Sequence, residues 1–114
     1  MKPKGATANP SKVLAKATLR VAFALDINEM QLARILSVDE EYLGFAIEPA
    51  SCLGQRAQQL IRIYQHLSAR SGNDDAAMSH WMATSNRRFG CSPRERMQTT
   101  EGLDEVIAYL DSLL

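Results

Sequence analysis

Apolar side chains recur every three or four residues along most of the chain, which is the spacing of one buried face on an α-helix. Four stretches with this spacing predict the main helices. Their apolar positions are Leu14, Ala17, Val21 and Leu25; Ala57, Leu60, Ile61, Tyr64 and Leu67; Met78, Trp81 and Met82; and Leu103, Val106, Ile107 and Leu110. No window alternates apolar and polar residues as a half-buried β-strand does. The pattern therefore predicts an all-α fold.

Short polar signals predict where the helices begin and end. Three pairs have the spacing of a capping box, in which two side chains three residues apart bond each other's backbone N–H. They are Asn28 with Gln31, Ser37 with Glu40, and Ser92 with Glu95. The pair at Asn28 predicts a short second helix. The pair at Ser37 predicts a third helix, which has Tyr42, Leu43, Ala46 and Ile47 on its apolar side and ends at Pro49. Gly72 is expected to end the long fourth helix, which carries Ala57 to Leu67, and Asn73 to cap the fifth helix, which carries Met78 to Met82.

These signals divide the chain into three segments. Residues 1–10 hold two prolines, a glycine and no large apolar residue after Met1, so a disordered basic tail is expected. Residues 11–72 are predicted to form a helix-turn-helix-like region. Residues 73–114 are predicted to form a second, smaller helical domain that packs with the first.

Charge adds a pattern that the net value hides. The chain has 13 basic and 13 acidic residues, so as a whole it is not a generic binder of nucleic acid or of membrane surfaces. Residues 1–20 are basic without any acid, residues 21–50 are mostly acidic, and arginines cluster again over residues 87–96. Complementary faces of this kind let copies or partners dock, although solvated helix faces give the same alternation.

Residues that support catalysis or metal binding are sparse. Cys52 and Cys91 have no metal-ligand spacing, and neither His66 nor His80 has a second ligand one helical turn away. The chain also lacks a glycine-rich phosphate loop, so we expect no enzyme activity and no cofactor. Because the sequence has neither an apolar run of membrane length nor a signal peptide, the protein is expected to be cytoplasmic. Because support for catalysis is sparse, it is expected to work by binding another macromolecule.

Residues 28–43 predict two short helices joined at Leu36-Ser37-Val38, as in a helix-turn-helix. The run Gln31-Leu32-Ala33-Arg34-Ile35-Leu36 resembles the Xre-type repressor pattern, whose next helix lies in the DNA major groove. Candidate DNA contacts are Lys12, Lys16, Gln31, Arg34 and Tyr42. The predicted recognition helix, however, begins Asp39-Glu40-Glu41, and these carboxylates would face the phosphates. A helix-turn-helix used only as a scaffold is at least as well supported.

A longer set of residues, over about 75–114, carries a more specific resemblance. In order, the set is His80-Trp81-Met82, Ser85 to Gly90, Ser92-Pro93, Met97, Thr100, Glu101-Gly102 and Val106 to Leu110. It resembles the C-terminal toxin-binding domain of Xre/MbcA/ParS-type antitoxins. The resemblance implies a type II antitoxin that neutralises a RES-domain toxin, an enzyme that degrades NAD. It also implies assembly as a homodimer or larger and, in several members, repression of the antitoxin's own operon. The alternative is an Xre-type repressor, bound to operator DNA, without a toxin partner.

Six residues are the candidates for toxin contact. A carboxy-terminal apolar pair is hard to bury within a small protein, which favours Leu113 and Leu114. Arginines beside Asn86 can bond acids on a partner, which favours Arg87 and Arg88, unless Asn86 caps locally and both arginines are merely solvated. The full set is Asn86, Arg87, Arg88, Tyr109, Leu113 and Leu114. Trp81 and Phe89 are expected mainly in the core.

Overall fold

The computed structural model describes residues 9–43 and 46–113, and within them the chain is helical. The helices are α1 (Pro10–Ala24), α2 (Glu29–Leu36), α3 (Cys52–Ser71), α4 (Asp75–Ala83), α5 (Pro93–Arg96) and α6 (Thr100–Asp111), with one 3₁₀ turn at Glu40–Tyr42. The predicted all-α fold is confirmed. Of the predicted basic tail, residues 1–8 lie outside the described residues, whereas Asn9 caps α1 and Pro10 is its first residue. Among the described residues, no helix is both long and apolar enough to cross a lipid bilayer.

Two of the three predicted capping boxes are confirmed, those that begin at Asn28 and Ser92. The prediction at Ser37 is wrong, because this residue ends α2 in the left-handed conformation, with φ 59° and ψ 49°. An N-cap residue needs extended backbone, which that conformation excludes. Gly72 ends α3 as expected, with φ 68°. Asn73 is not the cap of α4, since the side chain of Asp74 accepts the N–H of Ala77 instead.

The predicted third helix is also wrong for the residues that the structure describes. After the single 3₁₀ turn the backbone is extended at Leu43, and Gly44 and Phe45 lie outside the description. Asp39, which precedes the turn, makes no side-chain cap bond. The N–H of Ile47 bonds the carbonyl of Ser11 at 2.9 Å, so the chain here is tied to α1 rather than to its own helix. The recognition helix of a helix-turn-helix is therefore absent from residues 39–43 and 46–48.

Helix α3 is the centre of the fold, with α1 packed on one flank and α6 on the other. The largest side chains that are fully buried among the described residues share one core: Leu25, Leu32, Ile35, Leu36, Leu60, Ile63, Met78, Met82, Met97, Leu103, Val106 and Leu110. The four α6 positions predicted to face inward are all buried. Of the four positions predicted to face inward on the first helix, Val21 and Leu25 are buried, whereas Leu14 and Ala17 are half-buried. The buried face of α1 also includes Ala15, Thr18 and Ala22.

Candidate functional site

The turn between α4 and α5 is organised by Asn86. Its N–H bonds the carbonyl of Cys91 at 3.0 Å, and its carbonyl accepts from Phe89 and Gly90. Its side-chain Oδ1 accepts the N–H of Arg88 at 2.9 Å. Gly90 has φ 76°, a left-handed conformation that glycine adopts without steric cost. These bonds fix a tight turn that carries Arg87 and Arg88 exposed on its outer side.

This turn packs on α6 through aromatic contacts. The rings of Phe89 and Tyr109 meet edge to face, with centres 5.7 Å apart. The guanidinium carbon of Arg88 lies 5.2 Å from the centre of the Tyr109 ring, a cation–π distance. Between the turn, α5 and α6 is an open cleft of about 400 Å³, lined by these three residues together with Arg96, Glu105 and Ala108. The cleft combines the guanidinium of Arg88 with the aromatic rings of Phe89 and Tyr109. Arginine and aromatic residues are enriched at protein–protein interfaces.

The corner between α5 and α6 fixes the other side of the cleft. The Nε of Arg96 donates to Oε1 of Glu105 at 2.5 Å. That bond is the main reason why the pKa of the Glu105 carboxyl lies below its ordinary value. Gly102 lies against the carbonyl of Arg96 so closely that a Cβ on it would be 1.6 Å from that oxygen. Only glycine therefore fits where α6 begins beside α5.

The C-terminal turn of α6 is attached to α3 by polar contacts. Asp111 accepts from Nη2 of Arg62 at 2.7 Å and lies 2.7 Å from Nε2 of His66. The contact with His66, followed by that with Arg62, lowers the pKa of the Asp111 carboxyl. Arg70 donates to the carbonyl of Leu113 at 3.0 Å. The side chain of Leu113 stays outside these contacts and is 43% exposed.

The structure brings together some of the residues predicted for partner contact. Arg88 and Tyr109 meet directly, and Arg87 lies beside them at the turn. Asn86 acts locally within the turn, as its alternative interpretation had it. Leu113 is exposed at the end of α6, and Leu114 lies outside the described residues.

Four cleft residues were not among the predicted contacts: Phe89, Arg96, Glu105 and Ala108. Phe89 was expected in the core, but it is half-buried and lines the cleft. Spacing on α6 offered one signal, because Glu105, Ala108 and Tyr109 recur at the interval of a single helix face. The pairing of Arg96 with Glu105 had no comparable signal in the sequence.

The residues predicted to contact DNA are divided between two helices and the segment that follows them. Lys12 and Lys16 are exposed on α1, whereas Gln31 and Arg34 belong to α2. The side chain of Gln31 accepts the N–H of Asn28 at 3.0 Å, so its amide serves the cap. Arg34 reaches Gln98 at 3.4 Å and shares a shallow depression with the acidic Asp39. The side chain of Tyr42 lies outside the description.

Comparisons with known proteins bear on the half of the chain that contains the cleft. Residues 59–114 match the family model described as the antitoxin Xre/MbcA/ParS C-terminal toxin-binding domain. The search of curated proteins finds no match to this chain. Within the described residues, no group of three or more His, Cys, Asp or Glu side chains could hold a metal ion.

Proposed function

Since residues 59–114 belong to the family of Xre/MbcA/ParS antitoxin C-terminal toxin-binding domains, we propose that this protein is an antitoxin that binds and neutralises a cognate toxin of the RES type. The domain is that of a regulatory protein rather than of an enzyme. The proposed binding surface comprises the turn at residues 86–91, the cleft beside α6 and the end of α6. The observation that carries this placement is the stacking of Arg88 on Tyr109 within the matched region.

The chemistry of this surface specifies the kind of partner. Arg87 and Arg88 are exposed, and the guanidinium of Arg88 packs against the ring of Tyr109. A preorganised arginine loses less conformational entropy when it pairs with a carboxylate. The exposed Leu113 adds an apolar contact at the end of the same helix. We therefore expect the toxin to present carboxylates opposite the turn and an apolar depression opposite the end of α6.

The test is to co-express this chain with the product of the adjacent gene, and to measure co-purification and growth. We expect the neighbour alone to arrest growth and the pair to co-purify and restore growth. The double variant Arg87→Glu, Arg88→Glu should co-purify poorly and fail to restore growth. Both side chains are exposed, so circular dichroism should show unchanged helix content.

A matched control carries the same change of charge elsewhere. The double variant Lys12→Glu, Arg34→Glu reverses two exposed cations on α1 and α2, outside the family-matched residues, and should still restore growth. If both double variants fail equally, net charge rather than this surface controls neutralisation. If the neighbour is harmless and nothing co-purifies, the antitoxin proposal is wrong.

Operator DNA is the alternative partner, and the same control variant tests it. Lys12 and Arg34 are two of the residues predicted to contact DNA. Binding to the upstream promoter that falls steeply with salt, and that Lys12→Glu, Arg34→Glu abolishes, would favour a repressor. If the protein also neutralises the toxin, the two results together would describe an autoregulating antitoxin.

A further inference from the structure

Helices α1 and α3 carry basic residues but no aspartate or glutamate, although the whole chain has 13 acids. On α1 the cations Lys12, Lys16 and Arg20 are all exposed. In the part of the chain that the structure describes, none of these three forms an ion pair. They recur every four residues and therefore form one row along the helix, with about 6 Å between neighbours. The row leaves this side of α1 with positive charge that is not neutralised within the described chain.

An open groove lies between this row and α3. On the α1 side its lining includes Val13, Ala17 and Val21, which recur every four residues over about 12 Å, or about two helical turns. On the α3 side it includes Ile61 and Tyr64, and the last two cations of the row also belong to the lining. The volume of the groove is about 450 Å³. An engineered cavity of about 150 Å³ already holds a benzene molecule, so this groove has room for about three apolar side chains.

Two acids lie near the ends of α1, beyond the groove. Glu48 accepts from the hydroxyl of Ser11 at 3.4 Å, at the first turn of the helix. Asp26 follows the last turn and lies 3.7 Å from Arg94. Neither acid belongs to the groove lining. The surface therefore combines an apolar lining with a cationic border, and the complementary partner is apolar along its centre and anionic along its edge.

We propose that this groove binds an acidic amphipathic helix of a partner protein. Such a helix repeats its side chains at the interval of the cation row, so carboxylates one turn apart meet Lys12, Lys16 and Arg20. Its apolar stripe fills the groove beside them, in the helix-in-groove mode of recognition. The phosphates of a nucleic acid could pair with the row but would leave the apolar lining in water. The first eight residues of this chain are a poor occupant, since their charges, Lys2 and Lys4, match those of the row.

The first test is calorimetric titration of the full chain with a synthetic probe peptide. The probe is a helical peptide of alanine, leucine and glutamate, about 18 residues long, with leucines at i, i+4, i+7 and i+11 and glutamates on both sides of that stripe. We expect saturable binding of one peptide per chain. A second peptide, in which lysine replaces every glutamate, should bind at least about tenfold more weakly, because it brings like charge to the row.

Two variants of the protein separate the contribution of charge from that of the apolar lining. The double variant Lys16→Glu, Arg20→Glu should bind the acidic probe at least about tenfold more weakly. Val13→Lys adds a cation but removes an apolar side chain from the groove, so it should also weaken binding, whereas attraction by charge alone would become stronger. All three side chains are exposed, so circular dichroism should show unchanged helix content. The matched control is Arg87→Glu, Arg88→Glu, which makes the same change of charge at the turn beside α6 and should bind the probe as the wild type does.

Four results would overturn the proposal. The wild type might not bind the acidic probe saturably up to about 1 mM, or Lys16→Glu, Arg20→Glu might leave the binding unchanged. Stronger binding by Val13→Lys, together with displacement of the probe by promoter DNA, would make the row a nucleic-acid surface. Loss of probe binding as the protein concentration rises would make a second copy the occupant. No toxin takes part in these measurements, so their failure is distinct from failure of the antitoxin proposal.

Discussion

The two flanks of α3 are held in different ways. On the α6 flank, polar side chains join the helices at three levels: Gln59 to Asp104 at 2.7 Å, Arg62 to Asp111 at 2.7 Å, and Arg70 to the carbonyl of Leu113 at 3.0 Å. On the α1 flank the buried side chains of α1 are Ala15, Thr18, Val21 and Ala22. On the same flank, Val13, Ile61 and Tyr64 line an open groove between the two helices.

The comparison indicates that the stability of the fold and the orientation of its helices depend on different kinds of contact. Burial of apolar surface supplies most of the folding free energy on both flanks, but it is non-directional. Exposed polar pairs add little stability individually. Their geometry is directional, however, and on α6 it fixes the rotation and the height of the helix. The side chain of Tyr109 is thereby presented to the cleft in one orientation, whereas the α1 flank leaves its outer surface uncovered.

The largest effect on stability is expected from a substitution in the first turn of α6. Gly102→Ala places a methyl group 1.6 Å from the Arg96 carbonyl oxygen, so α5 and α6 must separate. We expect the free energy of unfolding to fall by about 3 kcal/mol, at the upper end of overpacking effects. Chemical denaturation followed by circular dichroism measures it.

Gly72→Ala is the control for that substitution. Gly72 has φ 68° but open space around its Cβ position, so only the left-handed backbone penalty applies, about 1 kcal/mol. Equal losses in the two variants would contradict the close approach at the α5–α6 corner.

A smaller effect is expected on the affinity for the proposed toxin partner, and it tests which flank of α3 carries the binding surface. Tyr109→Ala removes the ring that holds both Arg88 and Phe89, and we expect affinity for the toxin to fall about 10- to 100-fold. Calorimetric titration with a catalytically inactive toxin measures the change. Tyr64→Ala removes a half-buried tyrosine from the other flank and should leave that affinity nearly unchanged. A larger loss from Tyr64→Ala would move the binding surface to the α1 flank.

The smallest effect concerns the polar attachment of α6. The lowered pKa of Asp111 means that its carboxylate stabilises the folded state fully above the ordinary carboxyl value near 3.9. As the pH falls further, through the folded-state pKa, this contribution is lost. The wild type should therefore exceed Asp111→Asn in urea midpoint at neutral pH, and the gap should close in acid. Parallel curves down to the lowest pH would show that Asp111 does not contribute through its charge.

What the sequence predicted well is local. The capping boxes at Asn28 and Ser92 need only four residues each, and the structure contains both. The apolar stripe of α6 likewise needs one helix and one buried face. In the candidate site, the turn arginines and Tyr109 were predicted from residue type and family resemblance, and two of them meet as neighbours in space.

What the sequence missed depends on contacts between distant residues. The segment after Ser37 has a helical pattern, but the bond from Ile47 to Ser11 competes with a helix there. The buried face of α1 also includes Ala15, Thr18 and Ala22, small side chains that the apolar pattern did not single out. Arg96 and Glu105 pair across a corner whose angle depends on Gly102.

The central position of α3 has a consequence for how the molecule comes apart. The family-matched residues begin at position 59, inside this 20-residue helix, so a cut at the family boundary would sever a continuous hydrogen-bonded rod. Ala57 is fully buried just before that point, and Leu60 and Ile63 are fully buried just after it. If α1 detaches, one side of α3, the helix against which α6 packs, is therefore exposed to water. We therefore expect the two predicted regions, residues 11–72 and 73–114, to unfold in one cooperative transition, so that proteolysis near the N-terminus would also weaken the proposed binding surface at the end of α6.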